Sequence, residues 1–114
     1  MKTPKPTVKA RSCDLFFLQC QYENLPLPQR NIRVIESICE KSRHLCDFVW
    51  LEAKIVLEVR VFSRGDSGLK RQIQRDYWKI AHLQSQGFRV YFADADQIRR
   101  GHAARWISEA LRSC

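Results

Sequence analysis

The sequence predicts a single domain of the α/β (α+β) class, with helices flanking a mixed sheet of about four strands. Apolar residues near the N-terminus recur with helical spacing, a β-branched run in mid-chain alternates with a period of two, and a long helical pattern separates that run from a second short apolar stretch. A chain of 114 residues, 45% of them hydrophobic, is long enough for one compact core and too short for two.

The N-terminal segment is expected to be a flexible basic arm. Residues 1–11 contain four cations, two prolines and no acids. The folded domain is therefore expected over residues 12–114. It begins with a helix that ends by Asn24, because apolar positions between 13 and 20 have helical spacing and the prolines of the following segment, 25–28, cannot continue a helix.

Three strands are expected next. Residues 32–39 and 45–50 have strand-like composition, and the polar stretch 40–44 between them predicts antiparallel neighbours. Residues 54–62 are the third strand, because β-branched residues dominate this run and alternate between two faces. One of those faces carries Glu58, which is a first indication of chemistry.

A βαβ unit is predicted from the middle of the chain onward. A helix is expected over residues 69–86, with Gly87 as its C-terminal cap, and a short buried strand over residues 88–93. The buried stripe of this helix is expected to contain Leu69, Ile73, Tyr77, Ile80, Ala81 and Gln84. Because a crossover helix joins strands 54–62 and 88–93, these two strands are expected to pair in parallel.

Helical segments complete the chain. Asp94 or Asp96 can cap a short helix that runs toward Arg100, and residues 102–112 have the pattern of an amphipathic helix. The predicted order of the main elements is therefore α-β-β-β-α-β-α.

The charge of the chain indicates a polyanionic partner. Lys and Arg number 20 against 12 Asp and Glu, which gives a net charge of +8, and 13 of the 20 cations are Arg. Arg is favoured where phosphate is bound through two hydrogen bonds. Charge alone does not choose among DNA, RNA, an acidic protein and a membrane surface.

Composition also bears on the compartment. No apolar run approaches the ~20 residues that span a bilayer, and the N-terminus lacks the apolar stretch of a signal peptide, so the protein is expected to be cytoplasmic. An odd number of cysteines, five, then indicates reduced thiols.

Two carboxylates on neighbouring predicted strands form the candidate site. Asp47 and Glu58 are eleven residues apart, and Arg60 follows two residues later on the same strand. Carboxylates that meet at one end of a sheet can bind a hard divalent cation such as Mg²⁺, which activates water and offsets charge on a phosphodiester. The alternative is an ordinary acid at a sheet end and an ion pair between Glu58 and Arg60.

Two other residue groups allow a functional or a structural interpretation. Cys39, His44 and Cys46 could contribute to a zinc site, but no fourth ligand is evident and the cysteine spacing is wider than usual, which favours buried thiols. The tryptophans could stack on bases or belong to the core and its rim. They are Trp50, Trp78 and Trp106.

Five short motifs, in this order, resemble one nuclease family. They are Asn24-Leu-Pro-Leu-Pro-Gln-Arg30, Cys46-Asp-Phe-Val-Trp50, Lys54-Ile-Val-Leu-Glu-Val59, Asp76-Tyr-Trp-Lys79 and Gly87-Phe-Arg-Val90. The chain is similar, from about residue 14 to residue 111, to PD-(D/E)XK nucleases of the very-short-patch-repair and Holliday-junction-resolvase-like branch. The resemblance implies a restriction-endonuclease-like core.

The resemblance also implies roles for single residues. Asp47 and Glu58 match the metal-binding acids of the family, Asp14 falls near an acid on its first helix, and Arg60 stands where the general motif has Lys. This chain lacks the second acid and the two glycines of close relatives, and residues 64–68 lack their His. These departures are compatible with a site that has lost its metal.

The second long helix would then face the DNA backbone. The resemblance makes its basic residues candidate phosphate contacts, together with one arginine of the preceding loop; they are Lys70, Arg71, Arg75, Lys79 and Arg64. The alternative is a solvated charged face with a local ion pair between Asp76 and Lys79, which lie three residues apart.

Three functions remain open from the sequence. The first is a DNA endonuclease that depends on Mg²⁺ or Mn²⁺, and the second is a catalytically inactive nuclease-like protein that binds nucleic acid without cutting it. The third is an accessory factor, for example of a phage, whose basic surface binds an acidic protein. A homodimer is compatible with the resemblance, although the sequence shows no apolar stripe that demands one.

Overall fold

The computed structural model describes residues 7–33, 45–60 and 77–113 of the chain. Its elements are α1 (Val8–Tyr22), β1 (Gln29–Arg33), β2 (Leu45–Trp50), β3 (Ile55–Arg60), the helical residues 77–85, here named α2, then β4 (Arg89–Asp94), α3 (Ala95–Arg99) and α4 (His102–Arg112). In these three ranges no helix is long and apolar enough to cross a membrane.

The described strands form one mixed sheet in the order β1-β2-β3-β4. The β1–β2 and β2–β3 pairs are antiparallel, and the β3–β4 pair is parallel. The predicted α+β class, the antiparallel neighbours and the parallel βαβ pairing are therefore confirmed. The parallel pair follows from the crossover between β3 and β4, which includes α2.

Both faces of the sheet are covered, which explains why β3 is apolar on both sides. On one face the largest cluster joins α1, α3 and α4 to the sheet, with Phe16 packed against Phe48 at 4.8 Å and against Trp50 at 6.1 Å between ring centroids. On the other face a smaller cluster contains Leu83 of α2 and Phe88. Residues 55–59 of β3 are all buried between these clusters.

Helix α1 begins earlier than expected. It starts at Val8, four residues before the predicted boundary at Ser12, and the Thr7 hydroxyl accepts a hydrogen bond from the Ala10 N–H at 3.0 Å. A threonine at this position satisfies a free N–H group of the first turn. Residues 8–11 of the expected basic arm are thus helical, and residues 1–6 lie outside the described part. The helix ends at Tyr22, in agreement with the prediction.

The first strand also differs from its prediction. It occupies Gln29–Arg33, directly after Pro28, where residues 32–39 were expected; residues 34–44 lie outside the described part. The strand begins directly after the prolines because this segment is held against β2. The Pro26 carbonyl accepts a hydrogen bond from the Trp50 indole at 2.7 Å. Strand β2 has the predicted bounds.

The buried face of α2 was predicted incorrectly. Leu83 is fully buried, whereas Tyr77, Ala81 and Gln84 are exposed. Leu69 and Ile73 of the expected stripe lie outside the described residues. Ile80 of the expected stripe is half-buried, so the buried side of the helix is rotated from the predicted stripe toward Leu83; the prediction did not include the way the helix ends.

The end of α2 determines which side faces the sheet. The Gly87 N–H bonds to the Gln84 carbonyl at 3.0 Å, the Phe88 N–H bonds to the Leu83 carbonyl at 3.0 Å, and Gly87 has a φ of +88°. This is the Schellman pattern, which brings the side chains of residues such as Leu83 and Phe88 into contact. The Lys54 ammonium also donates to the Gln86 carbonyl at 3.2 Å.

The C-terminal elements agree with the sequence. Asp94 caps α3 by accepting a hydrogen bond from the Gln97 N–H, and the Gln97 side chain accepts one from the Asp94 N–H in return. Helix α4 has the predicted bounds.

Phe16→Ala should be strongly destabilising, because the ring is completely buried between Phe48 and Trp50. We expect a loss of about 3–5 kcal/mol in the free energy of unfolding, measured by urea denaturation. Leu51→Ala, at an exposed position in the β2–β3 turn, is the control and should change stability by less than about 0.5 kcal/mol. A similar loss for both variants would contradict this assignment of the core.

Candidate metal and nucleic-acid site

The site lies where β2 and β3 stop pairing regularly. In the described sheet their register runs from Trp50↔Ile55 to Phe48↔Leu57. Beyond that point Asp47 Oδ2 accepts a hydrogen bond from the Val59 backbone N–H at 2.8 Å. The side chain of Asp47 thus accepts a hydrogen bond from the backbone of β3.

The side-chain alternation of β2 breaks at Asp47. Phe48 packs on Phe16 of α1, and Asp47 also points toward α1, where it pairs with Lys9. Consecutive residues of a regular strand point to opposite faces, so this part of β2 is locally irregular. Asn31, opposite Asp47 in the β1–β2 register, has a φ of +53°, a left-handed conformation that Asn tolerates.

Glu58 reaches the same place from the other face of the sheet. Its side chain points toward α2, in regular alternation with Leu57 and Val59, which pack in the α1-side cluster. Asp47 and Glu58 are both only 7% exposed, and Asp47 is among the groups that raise the pKa of Glu58, so the two carboxyl groups lie near each other. The predicted convergence of these two acids is therefore present in the structure.

Each carboxylate has a lysine counter-ion. Lys9 Nζ lies 3.1 Å from Asp47 Oδ1, and Lys79 Nζ lies 2.7 Å from Glu58 Oε1. Lys79 also donates to the Leu45 carbonyl at 2.7 Å. Within the described ranges Glu58 Oε1 accepts no hydrogen bond of normal geometry.

Arg60 contacts an aromatic side chain of β4. Its guanidinium lies over the Phe92 ring of β4, 4.2 Å from the centroid. Burial lowers the pKa of Arg60, while the charges of Glu58 and Asp47 oppose that effect. The contact with Phe92 therefore places the positive charge of Arg60 near the carboxylates.

Burial changes the acid strength of Glu58. Removal from water raises the pKa of this carboxyl to about 7; the nearby Lys79 cation opposes the rise, and the charge and hydrogen bond of Asp47 add to it. Near neutral pH Glu58 can therefore keep its proton or release it to water and be balanced by a cation.

The two carboxylates are groups that could contribute to a magnesium or manganese site. Proteins usually hold Mg²⁺ through one or two carboxylates and leave the remaining positions to water and phosphate oxygens. Asp47 and Glu58 supply two such groups, and the poorly bonded Oε1 of Glu58 is a suitable donor. The described residues contain no group of three or more His, Cys, Asp or Glu that could hold a metal.

The other predicted site residues are distributed differently. Asp14 is largely exposed and pairs with Arg30 of β1 at 2.9 Å, so it is engaged away from the acid pair. Lys79, expected as a phosphate contact, belongs to the acid pair itself. The remaining predicted contacts, Arg64, Lys70, Arg71 and Arg75, lie outside the described residues, as does Asp76.

Sequence reasoning missed Lys9. It assigned this lysine to the arm, whereas the lysine lies in the first turn of α1 beside Asp47. The available signal was Thr7, a favourable N-cap residue immediately before the helical segment.

The zinc alternative gains no support from the described residues. Cys46 is completely buried in the α2-side cluster, and burial raises the pKa of its thiol to about 12, which disfavours the thiolate that zinc needs. Cys39 and His44 lie outside the described part. Of the tryptophans, Trp50 belongs to the core, Trp106 packs against it, and Trp78 is exposed.

Glu58→Gln should remove a pH dependence of stability. Between 4.5, the ordinary value, and the folded pKa of about 7, the folded protein holds a proton that the unfolded chain has lost, so stability decreases as pH rises through this window. We expect the wild-type free energy of unfolding to fall by up to about 3 kcal/mol from about pH 5 to about pH 8, and a nearly flat profile for Glu58→Gln.

The matched control is Glu52→Gln in the exposed β2–β3 turn, which should keep the wild-type slope. Urea denaturation at several pH values measures all three proteins. Identical slopes for the wild type and Glu58→Gln would contradict the assignment of a raised pKa to Glu58.

No family model, curated protein or solved structure was found to match this chain. The functional assignment therefore depends on the sequence motifs and on the geometry of the acid pair.

Proposed function

We propose that this protein is a DNA-binding endonuclease of the PD-(D/E)XK type that hydrolyses phosphodiesters with the help of a divalent metal ion. The observation that carries the proposal is the burial of Asp47 and Glu58 near each other at the point where β2 and β3 stop pairing, with a lysine paired to each acid and Arg60 close enough to feel their charge. Buried acids with basic neighbours suit a reaction at a phosphate group.

Asp47 and Glu58 would hold Mg²⁺ or Mn²⁺. Such an ion, when bound, supplies a Lewis acid that lowers the pKa of water and offsets phosphate charge. Asp47 is oriented for this role because the Val59 N–H fixes Oδ2, while Oδ1 pairs with the half-exposed ammonium of Lys9. Glu58 must be ionised to bind a cation, so binding should strengthen as pH rises through about 7.

The basic groups would act on the phosphate. Lys79 and Lys9 neutralise the acids in the structure and would turn to the DNA when the acids bind a metal ion. Arg60 keeps its charge at all physiological pH values, so it can stabilise a phosphate and is unsuited to take a proton. The net charge of +8 favours association with a polyanion.

Glu58→Gln and Asp47→Asn should abolish metal-dependent cleavage. With Mg²⁺ or Mn²⁺ and plain, mismatched or branched DNA, we expect each variant to be slower than the wild type by about 100-fold or more. Asp96→Asn removes an exposed carboxylate that pairs with arginines in α3 and is the matched control, with activity expected to be unchanged. If none of the three DNA types is cut faster by the wild type than by Glu58→Gln, the nuclease proposal is wrong.

A nucleic-acid-binding protein without nuclease activity is the second candidate. It is favoured by one specific observation: both acids already have lysine counter-ions, so the pair is compensated without a metal. In this case DNA affinity would not respond to Mg²⁺ or Mn²⁺, and cleavage would be absent.

DNA affinity should decrease steeply with salt under either candidate. Fluorescence anisotropy should give a log–log slope of about −0.9 for each duplex phosphate contacted. A flat salt response would contradict both candidates. Together with co-purification of one acidic protein in a fixed ratio, it would favour an accessory protein-binding function.

A further inference from the structure

Strand β4 is the last strand of the described sheet and is paired on one side only. It pairs in parallel with β3, and no described strand lies on its other side. An edge strand presents unpaired backbone N–H and C=O groups, which a further extended segment can use for hydrogen bonds. Strand β4 therefore offers a place where the sheet can be extended.

The outward groups of β4 can be assigned to single residues. The Arg89 N–H donates to the Lys54 carbonyl at 2.8 Å, so residues 89, 91 and 93 direct their peptide groups toward β3. The N–H and C=O groups of Val90 and Phe92 then face outward, and they have no hydrogen-bond partner among the residues that the structure describes. Two donors and two acceptors are thus open along this edge.

The outward edge ends at Asp94. Its N–H has the same direction as those of Val90 and Phe92, and it donates to the Gln97 side chain at 2.9 Å as part of the α3 cap. The cap therefore satisfies the last outward donor of β4 within the chain, whereas the two donors before it are left for a partner.

The two edges of the described sheet differ. Strand β1, at the other edge, contains Arg30 and Arg33, and Asn31 interrupts its regular backbone with a φ of +53°. Charged side chains and irregular backbone commonly protect an edge strand against further pairing. Strand β4 has the strand-favouring run Val-Tyr-Phe at residues 90–92, no positive φ value, and charged residues only at its two ends. The middle of β4 thus lacks the protections found at β1.

An open groove of about 480 Å³ lies beside this edge, between β4 and α4. Tyr91 and Trp106 are partly buried and give the groove aromatic walls. Because the side chains of a strand alternate between the two faces of a sheet, every second side chain of an added strand would lie on the groove side. The groove is lined by Arg89, Tyr91, Trp106, Glu109, Ala110 and Ser113.

The surroundings of the β4 edge are positively charged. Residues 89–113 contain five arginines and three acids, a net charge of +2. Of these acids, Asp94 caps α3 and Asp96 pairs with two neighbouring arginines, so Glu109 is the acid that faces the groove. An acidic occupant therefore fits this edge better than a basic one.

We propose that the outer edge of β4 binds an extended acidic segment of a partner protein, which adds a strand to the sheet. Its backbone pairs with Val90 and Phe92, as in other complexes where a peptide extends a sheet. Its apolar side chains on one face pack in the groove against Tyr91 and Trp106, and its acidic side chains on the other face pass Arg60, which lies over the Phe92 ring. The proposal does not depend on nuclease activity or on a bound metal ion.

Charge and backbone chemistry favour this occupant over two others. A second copy of the chain would bring another net charge of +8 to the edge, and like charges oppose association. A nucleic acid offers phosphate oxygens, which accept hydrogen bonds from N–H groups but donate none to the outward carbonyls of β4. An extended acidic peptide supplies both donors and acceptors together with the opposite charge.

Amide hydrogen exchange on the full chain tests the edge directly. In the free protein we expect the Val90 and Phe92 amides to exchange at least about 10-fold faster than those of Tyr91 and Ala93, which point toward β3. The probe is a fluorescein-labelled synthetic peptide of alternating valine and glutamate. At saturation this peptide should slow the exchange of the Val90 and Phe92 amides by at least about 10-fold.

Val90→Pro should weaken binding of the peptide, because it removes one outward N–H and leaves the pairing with β3 intact. We expect its dissociation constant for the peptide, from fluorescence anisotropy, to be about 10-fold higher than that of the wild type. Val90→Ala keeps the N–H and is the matched control, with an expected change of less than about 3-fold. Circular dichroism checks that both variants are folded.

Two further peptides separate backbone pairing from charge attraction. Methylation of alternate backbone nitrogens removes donors of the peptide, and lysine in place of glutamate reverses its charge; each change should weaken binding by about 10-fold or more. Val90 and Phe92 amides that are already protected in the free monomer, a glutamate peptide that leaves their exchange unchanged, or equal affinity for the methylated or the lysine peptide would overturn the proposal. Protection that appears only as the chain self-associates would assign the edge to a second copy and overturn it as well.

Discussion

The hydrogen bond from the Val59 N–H to Asp47 Oδ2 is the contact on which the site depends. It substitutes a side-chain acceptor for a backbone one at the place where β2 leaves β3, and it thereby satisfies a buried donor that would otherwise cost stability. The same bond orients the Asp47 carboxylate, which lies near Glu58. The two acids therefore lie close together at the same place where β2 and β3 stop pairing.

Two neighbouring buried carboxylates lower the stability of the fold, and basic groups from three elements offset this loss. Lys9 comes from α1, Lys79 from α2 and Arg60 from β3. Removal of two acids from water is tolerated only when opposite charges or protons accompany them. A proton, a lysine ammonium and a divalent cation can each satisfy this requirement at Glu58.

Local patterns were sufficient for the regular parts of this molecule. Strand β3, the parallel βαβ pairing, the cap at Asp94 and the bounds of α4 follow from side-chain periodicity and capping chemistry, and the neighbourhood of Asp47 and Glu58 follows from strand adjacency. The lysines that pair with these acids could not be predicted from the sequence. Lys9 and Lys79 are distant in sequence from them, and the irregular turn of β2 at Asp47 leaves no periodic signal. The buried side of α2 depended on its terminal geometry, which a periodicity argument does not include.

The anchoring of α2 at Gly87 affects the position of Lys79, which lies on the same helix. Its C-terminal end is fixed by Leu83 in the core and by the contact of Lys54 with Gln86, and Lys79 lies eight residues from the pivot, about 12 Å along the axis. The turn at Gly87 thus helps to determine where Lys79 lies relative to Glu58.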